Sequence, residues 1–109
     1  MNRIKQIIVD IDVYTDRDRA SLDLFEMAVE KEWGTRLLLA KEIYHSEPIY
    51  YERETSAELM LLEEVKQYYL NREEFERCSK IQSLLDRLNS ENGVEGFIAE
   101  FIKRNDVIF

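Results

Sequence analysis

Polar and apolar positions alternate briefly at the start of the chain and then settle into helical spacing for most of its length. Within IIVDIDVY, residues 7–14, Val9, Ile11 and Val13 fall on one side and Asp10, Asp12 and Tyr14 on the other. Alternation built on β-branched residues predicts a short β-strand within residues 1–14. A strand needs a partner for its backbone hydrogen bonds. Ile49-Tyr50-Tyr51 and Val107-Ile108-Phe109 are the candidates within the chain.

Helical periodicity takes over across residues 15–46. Thr15 or Asp16 is placed to cap a helix that runs to Trp33, with Leu22, Phe25, Val29 and Trp33 on one face. Gly34 reads as that helix's end, because glycine adopts the left-handed cap conformation without steric cost. Thr35 then opens a shorter helix from Leu37 to Tyr44, which Ser46-Glu47-Pro48 interrupts. IYYERET suits an extended segment or edge strand.

The rest of the chain is organised around residues 56–88, which predict a helical hairpin. Leu59, Leu62, Val65 and Tyr69 form the apolar stripe of its first helix, and Phe75, Cys78, Ile81, Leu85 and Leu88 that of its second. Asn71 with Glu74 has the spacing of a capping box between them. Asn89-Ser90-Glu91-Asn92-Gly93 is rich in turn formers and ends the second helix. A last helix follows over 94–104, with Val94, Phe97, Ile98, Phe101 and Ile102 on one face. The expected fold is mainly α: a single domain over 1–109, built on the central hairpin with the N-terminal strand beside it.

Composition narrows the classes. With 109 residues and 45% hydrophobic residues, the chain has the size and apolar content of one globular domain. A net charge of −8 argues against direct nucleic-acid binding, which needs clustered Lys and Arg. An acidic inhibitor that imitates nucleic acid stays open as an alternative. One cysteine, Cys78, leaves no internal disulfide and fits a reducing, cytoplasmic setting. The apolar run Ile7-Ile8-Val9 is too brief for a signal segment or a membrane span.

The hairpin resembles the UVR motif of the UvrB/UvrC excision-repair proteins and related adaptors over residues 59–88. The likeness lies in Leu62-Glu63, in Glu74-Phe75-Glu76-Arg77-Cys78-Ser79-Lys80-Ile81, and in Leu85 and Leu88. Phe75 matches the family's aromatic between acids, and Cys78 and Ser79 take its small positions. Gln82 and Ser83 stand where the family has Arg-Asp, and the turn near Asn71 is one residue longer. The resemblance implies a helical hairpin that binds protein partners, often by packing against a second hairpin.

Candidate chemistry is sparse. Asp10-x-Asp12 on a strand is how haloacid-dehalogenase-type phosphatases hold a nucleophile and an acid beside magnesium, so a small metal-dependent phosphohydrolase is the enzymatic alternative. That fold also needs a later lysine, a second acidic pair and a longer chain. Glu73-x-x-Glu76 has the spacing of MazG-type pyrophosphatases but no facing Glu-x-x-Asp. His45 stands alone, and Cys78 falls on an apolar helix face, as a structural thiol does. No catalytic set, metal site or cofactor is predicted.

Tyrosines are dense at Tyr44, Tyr50, Tyr51, Tyr68 and Tyr69, and tyrosine is enriched at interfaces. The last helix is read chiefly as part of the core, with docking into another protein as the alternative. Asp106-Val107-Ile108-Phe109 resembles the C-terminal clamp-binding peptides of phage replication proteins, without their Leu-Phe doublet. These features together predict a cytoplasmic protein-binding adaptor or regulatory module without catalysis. Its expected contact residues are Tyr50, Tyr51, Tyr68, Phe97, Phe101, Ile108 and Phe109, and its expected partner is another protein or a second copy of the chain.

Overall fold

A computed structural model describes residues 3–15 and 22–105. Within these residues the chain forms five helices and no strand: α1 Arg3–Thr15, α2 Leu22–Tyr44, α3 Pro48–Asn71, α4 Phe75–Leu88 and α5 Gly93–Arg104. The expectation of a mainly helical fold holds. The N-terminal strand does not, because residues 3–15 are α-helical.

Two periodicities compete in that stretch. Val9, Ile11 and Val13 alternate, but Ile4, Ile7, Ile8 and Ile11 recur at i, i+3, i+4 and i+7. Ile7 and Ile11 are only 2% and 3% exposed, whereas Val9 and Val13 are 52% and 69% exposed. A helix closes its own hydrogen bonds and here buries Ile7, Ile8 and Ile11, each worth about 1.5–3 kcal/mol. A lone strand would bury fewer of these groups and leave backbone donors unpaired.

Helix α2 is the axis, packed against all four other helices. Trp33 and Leu37 are fully buried on it, with Phe25 and Val29 nearly so. The Trp33 indole N–H donates to the backbone oxygen of Glu58 on α3 at 3.0 Å, so its one polar atom is satisfied. Glu58 is itself buried, and its carboxylate faces Arg36 at 3.4 Å and Arg3 at 3.8 Å. α3 contributes Leu62, Val65 and Tyr69 to the same core, α4 contributes Ile81, Leu84, Leu85 and Leu88, and α5 contributes Phe97 and Ile98.

Several boundaries differ from those the sequence predicts. α2 runs unbroken through Gly34, where two shorter helices were expected. A Cβ at Gly34 would stand 2.2 Å from the Phe101 ring, so glycine lets α5 approach and is not a cap. Pro48 starts α3, where its missing N–H costs nothing, so IYYERET is helical and not extended. The α3–α4 junction has no capping box: Glu74, the N-cap, makes no side-chain cap bond. A Schellman closure takes its place, with Glu74 N–H bonded to Tyr69 O and Glu73 N–H to Leu70 O. Glu73 accordingly sits at φ 59°, a position that usually takes glycine. Phe75, expected on the apolar stripe of α4, is 61% exposed. The Asp16 cap and the residues 106–109 tail lie outside the described residues. Among those described, no helix is long and apolar enough to cross a membrane.

The Gly34–Phe101 contact predicts a reversal of sign. Gly34→Ala should destabilise the intact chain by about 1–3 kcal/mol through overpacking. In a Phe101→Ala background it should instead stabilise by up to about 1 kcal/mol, the helix-propensity gain. Urea denaturation followed by Trp33 fluorescence reads both, and the same sign in both backgrounds would contradict the contact.

Candidate interaction surface

The last buried residue of α2 is Ala40 and the first buried residue of α3 is Glu58. Everything between forms an elbow that projects beyond the core. His45 to Glu47 make the bend, closed by Glu47 N–H bonding to Tyr44 O at 2.9 Å, and Glu47 O accepts from Tyr51 N–H at 3.0 Å. The Tyr44 and Tyr50 rings stack across the bend, with centroids 6.1 Å apart.

This elbow exposes large apolar side chains. Ile43 is 57% exposed, Ile49 73% and Tyr50 49%, and Leu39, just before the elbow on α2, is 58% exposed. Leu39 and Ile43 share a face of α2, one turn apart, while neighbouring Leu37, Leu38 and Ala40 turn inward. Four exposed carboxylates, Glu42, Glu47, Glu52 and Glu54, stand on the same segments, and none makes an ion pair among the described residues. Arg53 and His45 are the other charged or titratable groups there. His45 Nδ1 lies 3.2 Å from Glu42 O.

A polar clasp anchors the elbow to α5. Tyr51 donates its hydroxyl proton to Glu95 at 2.8 Å, and Lys41 donates to the other oxygen of that carboxylate at 3.0 Å. The Lys41 and Tyr51 hydrogen bonds hold the Glu95 carboxyl below its ordinary range. Burial of the ring, followed by the bond to Glu95, pushes the Tyr51 phenol up to about 12.

The expected contact residues do not form one surface. Tyr50 is exposed, but Tyr51 is half-buried and held by Glu95. Tyr68 lies on the same helix about 27 Å away at 1.5 Å per residue. There its ring meets Tyr69 edge-on at 5.2 Å and stacks under Arg72. Phe97 is 6% exposed, packed in the core on the α5 side. Phe101 is half-buried over Gly34 and lines a groove of about 290 Å³ with Met27, Glu30 and Arg104. Ile108 and Phe109 lie outside the described residues. Leu39, Ile43 and Ile49, exposed apolar residues, fall outside the expected set, although Leu39 and Ile43 surpass what one buried stripe of α2 can accommodate.

The Asp10–Asp12 pair is split by the helix. Residues two apart do not face each other on a helix, and their partners differ. Asp10 accepts from Gln6 at 2.9 Å, while Asp12 accepts from Tyr69 and Arg77, each at 3.0 Å. Arg77 also stacks over Phe25 and Tyr69, at 4.8 and 5.3 Å, so Asp12 helps bind α1 to α3 and α4. An open cleft beside this network is lined by Val9, Val13, Leu22 and Phe75. Cys78 is half-buried, its thiol pushed up by lost hydration. Among the described residues, no three His, Cys, Asp or Glu side chains converge as a metal site would require.

No family model matches the chain, and comparison with curated proteins and with solved structures finds no match.

The clasp makes a pH-dependent prediction. A phenol raised from its ordinary value near 10 to about 12 adds stability below pH 10 that is lost as pH climbs from 10 to 12. The stability gap between wild type and Tyr51→Phe should therefore be constant up to pH 10 and shrink towards pH 12. Glu95, lowered, acts at the other end: its contribution is present above the ordinary carboxylate range and lost as pH falls through its depressed value. Urea titrations across pH check both signs, and a Tyr51 gap unchanged from pH 10 to 12 would contradict the clasp.

Proposed function

We propose that this chain is a small acidic protein-binding module, an adaptor or regulator acting in the cytoplasm, with the α2–α3 elbow as its contact surface. One observation carries the reading: Ile43, Ile49 and Tyr50 are exposed on a segment that contributes no buried residue to the core, with Leu39 exposed one turn before Ile43. Scattered apolar residues on a surface need no explanation, but a concentration on one projecting feature is the mark of an interaction site. Tyr50 adds the amphipathic contact area that interfaces favour. α3 and α4, the segment resembling a UVR-type hairpin, serve in this reading as the frame behind the elbow.

The test compares capture from source-cell lysate by the full chain and two variants. Ile43→Asp with Ile49→Asp should abolish recovery of a specific partner. Met60→Asp, at an equally exposed position further along α3, should retain it. Circular dichroism and Trp33 emission should match wild type in both, since neither site is buried. Equal recovery with all three proteins would contradict the assignment.

A further inference from the structure

We infer that the elbow's partner is a basic amphipathic helix of another protein, a refinement that rests on the protein-binding reading above. The argument begins with charge. Most carboxylates along the core are matched: Glu26 with Lys80, Glu30 with Arg87 and Arg104, Glu58 with Arg36 and Arg3. At the elbow Glu42, Glu47, Glu52 and Glu54 make no ion pair among the described residues, Lys41 is committed to Glu95, and Arg53 is the one other cation on the segment, so the elbow keeps a net negative charge. Exposed apolar side chains on a segment with a net negative charge are complemented by an apolar stripe flanked by Lys or Arg.

The same charge disfavours a second copy. Two elbows brought together would set one net negative segment against another, which costs free energy and turns away like partners. The form of the occupant follows from the fold. With no strand among the described residues, no sheet edge is there to pair with an extended peptide. Two helices meeting at a bend instead offer side-chain ridges and grooves into which a third helix packs, engaged through residues at i, i+3, i+4 and i+7.

The probe is a synthetic 14-residue peptide of Leu and Lys with its leucines at helical spacing, compared with a Leu/Glu peptide of the same apolar face and a scrambled Leu/Lys peptide. Titrations use the full chain, with calorimetry for affinity and amide chemical shifts for location. The Leu/Lys helix should bind one to one with shifts centred on residues 39–54, weakening as salt rises, and the other two peptides should bind at least about tenfold more weakly. Glu42→Gln with Glu47→Gln and Glu52→Gln should cost about tenfold, as the loss of three exposed ion pairs would. Glu64→Gln with Glu76→Gln and Glu91→Gln removes the same charge from exposed, unmatched positions elsewhere and should cost less than about threefold. Ile43→Ser with Ile49→Ser should cost about tenfold with no change of charge.

Equal losses from the two glutamate sets would reduce the effect to net charge and overturn the inference, as would indifference to the isoleucine substitutions or no binding at all. A dimer of the chain alone that Ile43→Ser with Ile49→Ser dissolves would assign the face to a second copy and also overturn it. Partner capture that needs Ile43 and Ile49 but not the three glutamates would leave the protein-binding reading standing while removing the basic helix.

Discussion

The burial of Trp33 is the constraint on which the rest of the structure depends. A fully buried indole must find an acceptor, and the one it finds is the backbone oxygen of Glu58. That bond sets where α3 crosses α2, and the crossing draws the Glu58 carboxylate into a site only 8% exposed. A buried carboxylate is tolerable when opposite charge and hydrogen bonds surround it, which Arg36 on α2 and Arg3 on α1 supply. One aromatic side chain thus ties three helices by a chain of physical necessities. On the other side of α2, Gly34 admits the Phe101 ring and lets α5 close the core.

The elbow is a consequence of the same arrangement. α2 and α3 are both longer than the core they build, and the core ends at Ala40 on one and Glu58 on the other. The surplus turns project together, braced by the Tyr44–Tyr50 stack and by the clasp of Lys41, Tyr51 and Glu95. The clasp holds the elbow without covering it. Trp33, Glu58 and Gly34 thus specify the fold, while Ile43, Ile49 and Tyr50 remain exposed.

Much of the helical core was legible in the sequence, since Phe25, Val29, Trp33, Leu62, Val65, Tyr69, Ile81, Leu85 and Leu88 all bury as their spacing implies. The misreadings cluster where one residue carries two meanings. Ile7, Ile8 and Ile11 fit a helix as well as Val9, Ile11 and Val13 fit a strand, and only the presence of a core on one side decides between them. Pro48 marks a helix start as readily as a stop. Gly34 read as an end because the ring that needs its missing Cβ lies 67 positions away, on Phe101. The candidate surface was less legible. Periodicity identifies what can face a core, but exposed Ile43 and Ile49 are recognisable only once the core's limits are known.

Native-state hydrogen exchange on the full chain tests the central claim, a core centred on α2 from which the elbow projects. Amides between Ala28 and Leu38 should exchange only through global unfolding, with protection equal to the free energy from denaturation, while amides of residues 51–57 exchange through local opening at much lower cost. Elbow protection equal to that of α2, or α2 amides exchanging faster than those of α4, would contradict the account.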